Sequence, residues 1–465
     1  MSLSERLAAL DGDISFIGYG RSNSAALAYL RAIGVKNSFT LRQSHGDVPP
    51  GIFRRASVGG EYLSDLSERA YIVSPGVRRD LLCASAPKEA LITSEIEMFD
   101  DAAAGDIFAV TGSDGKSTVT TLISLLLARH YRRVDAVGNI GRPALTALCN
   151  GDGAAYALEL SSFQLMYHAP KSYAACLTGI SENHLNWHRD MQEYIAAKRQ
   201  IFTRTERAVV SLDCGECREI AKEIHPFAVF SSEMSDTEIA KYGADICVRA
   251  DGERIYRNGR EVYDLRRAAL QGRYNIRNMC AAVAMTAGVA DEGDFARVFD
   301  SFPGLRHRRE YIGKCLGVKF YDSSIDSTPA RCESTLASFS GGVIPILGGR
   351  GKNLPYGALG SSVGKCAAGV VLMGENRGEI AAALSGLDIP ITFAGSMAEA
   401  VDAAFRLALR YGGESPTVLL SPASTSFDTY ENFECRGDDF RACAMRIIKN
   451  ADAAGFADYR TPTAG

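Results

Sequence analysis

Asp106-Ile-Phe-Ala-Val-Thr-Gly-Ser-Asp-Gly-Lys-Ser-Thr118, continuing as Val119-Thr-Thr-Leu-Ile-Ser-Leu-Leu-Leu127, decides the fold of this 465-residue chain. Ile107 to Val110 reads as a short buried strand, and Gly112 and Gly115 permit a tight turn. Lys116, Ser117 and Thr118 then open an apolar helix. Successive backbone N–H groups from Gly112 through Ser113, Asp114 and Gly115 can cradle phosphate oxygens, and the helix N-terminus adds partial positive charge. Lys116 would reach the outer phosphates, and a hydroxyl of Ser117 or Thr118 would ligate Mg²⁺. The general nucleotide pattern places a glycine at 110, where this chain has Val110, so the loop is a shortened variant. A turn serving structure alone needs neither the lysine nor the paired hydroxyls, so the stretch predicts ATP binding.

The length suits two to four domains. Hydrophobic residues make up 46% and charged residues 23%, the composition of an ordinary globular protein. A net charge of −4 without a polybasic tail gives no footing for nucleic acid. The first residues lack the basic-then-apolar layout of a signal peptide. No apolar run approaches the roughly twenty residues that span a bilayer. The expectation is a cytoplasmic protein with no membrane insertion. The 12 cysteines are scattered. Cys214 and Cys217 form one C-x-x-C without a second pair at zinc-ribbon spacing, so reduced thiols are expected.

Upstream, residues 13–34 read as strand, glycine turn and amphipathic helix, with Gly18 and Gly20 where backbone could approach a diphosphate. Asn23 replaces the third glycine of that fingerprint, so a purely structural turn is an equal reading. Strands at 71–77, ending Ser74-Pro-Gly, and at 90–94 complete an alternating domain. Downstream, Asp135–Gly141 is a strand into a turn presenting Asn139. Tyr156-Ala-Leu-Glu-Leu-Ser-Ser-Phe-Gln-Leu165 is an apolar strand whose single acid, Glu159, has the logic of a metal carboxylate opposite a phosphate loop. A solvent-facing edge glutamate is the bland alternative. The strand at 174–180 ends in Ser-Glu-Asn-His-Leu-Asn-Trp-His188, whose His184 and His188 suit a metal, a phosphate or a structural role. Asp190 and Glu193 stand at capping-box spacing before a helix. Its apolar stripe Tyr194, Ile201, Phe202 includes Lys198, either snorkelling or functional. Asn258-Gly259 marks a hairpin. Asn275 and Asn278 share a face of the next helix start, where their amides read a base edge or cap the helix. Phe302-Pro-Gly-Leu305 breaks the chain. The remainder alternates again, each apolar strand (318–321, 343–347, 370–374, 417–421) running into a polar loop.

Together these blocks resemble the Mur ligase family. The matching residues are 112–118, Gly138-Asn-Ile-Gly141, Leu158–Leu165, Asn183-His184, Ala197-Lys198 with Ile201-Phe202, and Asn275 with Asn278. Gly304-Leu305 with His307-Arg308, Leu420–Ala423, Ser426-Phe-Asp428, Asn432-Phe-Glu434 and Arg436-Gly437 also match. The resemblance implies an α/β enzyme of three domains. These are a Rossmann-like UDP-substrate domain (1–100), a P-loop ATPase domain with a mostly parallel sheet (101–304), and a Rossmann-like amino-acid domain (305–465). It implies ATP-dependent joining of D-glutamate to UDP-N-acetylmuramoyl-L-alanine through an acyl phosphate, by a monomer. By position, Ser117 and Glu159 would ligate one Mg²⁺, with His184 and Lys198, the latter carbamylated, at a second. Lys116, His184 and Lys198 would be catalytic. Asn275, Arg308 and Asp322 would join residues 112–118 in holding ATP. Gly18, Ser74, Asn139, Ser161 and Gln164 would contact the nucleotide sugar, and Ser327, Lys352, Ser426 and Phe433 the amino acid. Two departures stand out: Ile325 where a lysine is common, and Tyr274 where histidine is usual. Arg331 and Lys352 are the cations that could take the lysine's place. Two other readings remain at this point: another amide ligase of the superfamily, adding a different amino acid or acting on a folate, and a nucleotide sensor without catalysis.

Overall fold

The computed structural model describes residues 2–149, 154–182, 184, 187–270, 272–351 and 354–454. The run Ile107–Val110 is apolar at every position because both faces of its strand are covered. Strand Asp106–Thr111 lies between Ala155–Glu159 and Ser172–Leu177, parallel to both. Phe108 and Val110 enter a core built with Leu122, Ile123 and Leu126 of helix Lys116–Leu127 and Met279 and Val283 of helix Arg273–Met285. Ile107 and Ala109 enter the opposite core, together with Val137, Tyr156 and Leu158. That alternation by two is the strand period seen in the sequence.

Residues up to Phe302 form one compact unit and those from Pro303 onward another. The first unit holds two sheets. A five-stranded parallel sheet runs Arg55–Val58, Phe39–Gln43, Ile14–Ile17, Ala70–Val73, Leu91–Thr93. This is the doubly wound order, with the chain reversing beside its first strand. Its Ile14 and Phe16 share the core of Ile107 and Ala109. The second sheet has nine strands, parallel except for the terminal hairpin Arg254–Arg257 and Arg260–Asp264. Asn258 and Gly259 close that hairpin with φ of 50° and 77°, the left-handed pair its two-residue turn needs.

Asn23 explains why the first glycine turn lacks a third glycine. Fully buried, its amide nitrogen lies 2.6 Å from Gly18 O, 3.0 Å from Ile72 O and 3.2 Å from Ile17 O. It ties the turn to two strand ends.

In the second unit a six-stranded sheet runs Glu310–Cys315, Val318–Asp322, Thr417–Leu420, Val343–Leu347, Val370–Leu372, Ile391–Phe393, with only the first pair antiparallel. Separate apolar clusters cover its two faces. The cysteines among the described residues are free thiols. None of the described helices is long and apolar enough to cross a membrane.

Candidate active site

Gly112 and Gly115 are required by close approach. Gly115 caps the helix with φ of 81°, and a Cβ there would meet Asn278 Oδ1 at 2.4 Å. A Cβ on Gly112 would meet Thr178 Oγ1 at 2.0 Å. Thr178 follows the adjacent strand and donates to Asp114 O at 2.5 Å, pinning the loop from outside. Ser113 shares a hydrogen bond with Tyr194 OH (2.9 Å) and donates to Ser181 O (2.9 Å). Asp114 is exposed, Ser117 is buried, and Thr118 is half-buried on the first helical turn.

Two ammonium groups converge on one carbonyl. Lys116 Nζ donates to Gly112 O (2.8 Å) and Ser113 O (2.9 Å), and Lys198 Nζ donates to Gly112 O at 2.7 Å. Lys198, on helix Met191–Arg199, is 2% exposed and lies 4.7 Å from the centre of the Tyr194 ring. Snorkelling is thereby excluded. Burial first, and the charge of Lys116 second, hold the Lys198 amine well below the usual lysine range, with Asp114 and Glu159 pulling the other way.

Glu159 is not an edge residue. Its strand pairs with the phosphate-loop strand, Glu159 opposite Val110, and the side chain is 1% exposed. Asn139 Nδ2 donates to Oε1 at 2.9 Å, while Oε2 is buried with no hydrogen-bond partner among the described residues. His184 is exposed, with a left-handed φ of 59°, and its ring meets Phe163 edge-on at 5.1 Å. A non-glycine residue held there is strained by roughly 1 kcal/mol or more. Asn183 lies outside the described residues.

Next to these groups opens a cleft of about 230 Å³, lined by Arg21, Ser74, Asn139, Ser161, Phe163 and Gln164 among others. Ser161 caps a short helix in a capping box with Gln164, whose Oε1 accepts from Ser161 N and Oγ at 2.9 Å. Gly18 packs beside Ser74, a Cβ on it coming within 3.2 Å of the serine Cβ. Asn275 and Asn278 do not cap their helix, since Gly272 is its N-cap. They bond to each other, Asn278 Nδ2 to Asn275 Oδ1 at 3.0 Å.

The second unit gathers its own candidates. Asp322, fully buried at the end of its strand, takes His307 Nδ1 at 2.7 Å and Ser324 N at 2.8 Å. Burial pulls the His307 imidazole down, but the Asp322 carboxylate outweighs it and raises its pKa overall. Gly437 makes the pair possible: a Cβ there would sit 2.1 Å from His307 Nδ1. Arg308 is exposed. Phe433 starts the last helix, its carbonyl accepting from Ser324 Oγ (2.8 Å) and its ring edge-on to His307 at 6.3 Å. Ser426 is buried, its carbonyl accepting from Tyr430 N at 2.8 Å. Ser327 is half-buried, its N–H on Ile325 O at 2.7 Å. Lys352 lies outside the described residues.

The sequence quoted Tyr194, His307 and Arg436 but assigned them no role. Tyr194 carried a signal, standing one helical turn from Lys198. Arg436 did not. It is 2% exposed, with its guanidinium on Ser424 O, Ser324 O and Ser324 Oγ at 2.8–3.0 Å, the two Ser324 contacts made across more than a hundred residues of chain.

Residues 110–286 match the model of the Mur ligase middle domain. The chain is 35% identical to UDP-N-acetylmuramoylalanine--D-glutamate ligase of Acetivibrio thermocellus over 464 residues, covering 93% of this chain and 96% of the relative. Identity to the protein of the same name from Ruminiclostridium cellulolyticum is 33%, over 92% of this chain and 95% of that one. This chain belongs to the Mur ligase family. Solved structures agree in fold. UDP-N-acetylmuramate-alanine ligase MurC from Thermotoga maritima superposes with a TM-score of 0.54 at 14% identity, covering 96% of this chain and 100% of its own. MurF ligase from Thermotoga maritima in complex with ADP gives 0.52 at 14% identity, over 97% of each chain.

Proposed function

We propose that this Mur ligase joins D-glutamate to UDP-N-acetylmuramoyl-L-alanine with ATP, making a peptidoglycan precursor through an acyl phosphate. The observation that carries the reading is the meeting of Lys116 and Lys198 on the Gly112 carbonyl beside buried Glu159. A carboxylate attacking a triphosphate faces like-charge repulsion, and a preorganised cationic pocket offsets it. In this reading the sugar-borne carboxylate forms a bond to the γ-phosphorus and ADP leaves. The amine of D-glutamate then adds to the acyl carbon and phosphate departs.

The three sheets would divide the work, with residues 1–100 holding the UDP end, 101–304 the ATP and 305–465 the amino acid. Lys116 would move from the loop carbonyls to the outer phosphates. Asn139, Ser161 and Gln164 line the cleft and would orient the reacting carboxylate, with Ser74 and Gly18 farther along the nucleotide sugar. Asn275, Arg308 and Asp322 would hold the nucleotide. Ser327, Lys352, Ser426 and Phe433 would hold D-glutamate, with Ile325 shifting more of that task onto Lys352 and Arg331.

Glu159 Oε2, unpartnered among the described residues, with the Ser117 hydroxyl on the first turn of the neighbouring helix, would hold an oxygen-seeking Mg²⁺, and His184 with a carbamylated Lys198 would hold a second. Magnesium there would supply charge neutralisation for phosphoryl transfer. The depressed pKa of Lys198 supports carbamylation, because only a neutral amine adds to carbon dioxide, releasing one proton. The chain would work as a cytoplasmic monomer, where ATP is available.

An amino-acid panel tests this. With ATP, Mg²⁺ and UDP-N-acetylmuramoyl-L-alanine, D-glutamate should elicit ADP and a new amide. A response to L-lysine or diaminopimelate instead would reassign the substrate, and no ADP with any amino acid would leave a nucleotide sensor.

A further inference from the structure

Arg78 belongs to none of the groups above, yet it joins the turns that form the cleft. It follows Ser74-Pro-Gly76, which lines the cleft. Its Nη1 donates to Trp187 O (3.1 Å) and Glu193 Oε2 (3.2 Å), and its Nη2 to Glu193 Oε1 (3.0 Å). Asp80 holds the other edge of the guanidinium at 3.1 and 3.0 Å. The fork is thus bidentate to each carboxylate, the geometry in which arginine fixes position as well as charge. Trp187 Nε1 returns a hydrogen bond to Gly76 O at 3.1 Å, and the Arg78 guanidinium carbon lies 5.3 Å from the indole centre.

From the same knot contacts run to the opposite wall. The Trp187 ring packs on Phe163 at 4.3 Å, and His188 Nε2 bonds with Ser162 Oγ at 2.9 Å. Phe163 and Ser162 belong to the turn that carries Ser161 and Gln164. Glu193 lies 3.3 Å from His188 Nδ1 and sits in the first turn of the helix that bears Lys198. Ser162, His188 and Glu193 have the order of a hydrolytic triad, but Ser162 is 2% exposed, so no substrate carbonyl reaches its hydroxyl. The line is mechanical. The Arg78 hydrogen bonds hold the Glu193 and Asp80 carboxyls at about 2, so the bracket stays charged across the neutral range.

We propose that Arg78, clamped between Glu193 and Asp80 and stapled through Trp187, is a positioning residue. It sets the Ser74–Gly76 turn against the Ser161–Gln164 turn and thereby fixes the width of the nucleotide-sugar cleft. This rests on the ligase reading above. The hydrogen bonds of Arg78 go to Asp80, Trp187 and Glu193 and none of these is in the phosphate loop, so binding of the nucleotide sugar should depend on it and binding of ATP should not.

Trp187 is the sole tryptophan of the chain, so its emission reports the bracket directly. In the wild type, UDP-N-acetylmuramoyl-L-alanine should change Trp187 emission without ATP. Arg78→Ala should shift the free protein's emission to the red and raise KM for the nucleotide sugar roughly 10-fold, as loss of one partly buried charge-assisted fork implies. KM for ATP should stay within about twofold. Arg78→Lys should fall between, and Trp187→Phe, which retains an aromatic face but loses the Nε1 donor, should raise the same KM by a smaller factor. Both replacements leaving that KM at the wild-type value would overturn the proposal, as would equal rises in both KM values. A wild type that forms no ADP with D-glutamate would instead sink the ligase reading, while an emission response to the nucleotide sugar in that protein would leave the bracket standing.

Discussion

Around the phosphate loop, Lys116 and Lys198 crowd one carbonyl, while one oxygen of Glu159 has no hydrogen-bond partner among the described residues. In the C-terminal unit, Asp322 is shared by His307 and Ser324, and Arg436 is closed off by two carbonyls and a hydroxyl. Both regions bury charge, which is costly unless it is paired. In the first, Glu159 Oε2 finds no hydrogen-bond partner among the described residues, the feature on which the proposed metal site rests. In the second, Asp322 and Arg436 are each tied to groups of the same unit. What the contrast teaches is that one region keeps a buried acceptor open among the described residues, while the other ties its buried charges to neighbouring groups.

The sharpest way to break the contrast is Lys198→Ala. Removing a group from the unmatched region should cut turnover by roughly 10³-fold or more, the scale of a lost electrostatic or metal-holding group. Folding should be little changed, and added acetate should restore part of the activity by supplying a small carboxylate in place of the proposed carbamate. Steady-state kinetics with and without acetate decide it, and undiminished turnover would remove Lys198 from the reaction.

A smaller effect is expected from Glu95, a second buried carboxylate of the first unit. Its Oε1 accepts from Leu145 N at 2.9 Å, and its Oε2 has no hydrogen-bond partner among the described residues. Burial raises its pKa to about 7 from 4.5, against the backbone hydrogen bonds that lower it. The folded state therefore holds a proton that the unfolded state has released. The associated stability is present below about pH 4.5 and is lost as pH climbs through 7, about 3 kcal/mol in all. Glu95→Gln retains an acceptor for Leu145 and should flatten the decline between pH 5 and 8, measured by denaturant unfolding at several pH values. An unchanged slope would show that Glu95 does not titrate in that range.

In the matched region, Gly437→Ala would drive a Cβ into His307 Nδ1 and to 2.8 Å from Asp322 Oδ2. Stability should fall by about 2 kcal/mol, the usual cost of overpacking. On the proposed role of Asp322, KM for ATP should rise as its carboxylate shifts, whereas the acetate rescue expected for Lys198→Ala should be absent.

The same contrast explains what the sequence disclosed. The phosphate loop, the strand ending at Glu159, the helix of Lys198 and the Asn258-Gly259 hairpin are local patterns, set by periods of 2 and 3.6 and by turn chemistry. Lys198 on an apolar stripe already posed the question that its burial answers. The partners of those residues were not legible, because Thr178, Ser113 and Tyr194 meet only through space. In the C-terminal unit the strands were legible for the same local reasons. The Arg436 cage and the His307–Asp322 pair were not, since no short-range period links them. Asn23 shows how a departure from a motif misleads: it breaks the glycine pattern yet secures the turn by its own amide.

Oxygen transfer tests the central claim most directly. UDP-N-acetylmuramoyl-L-alanine labelled with ¹⁸O in its alanyl carboxylate is given to the purified protein with ATP, Mg²⁺ and D-glutamate, and the released phosphate is analysed by mass. Phosphorylation of the carboxylate predicts that each phosphate carries one ¹⁸O and that its release requires both substrates. Unlabelled phosphate accompanying formation of the amide would contradict it.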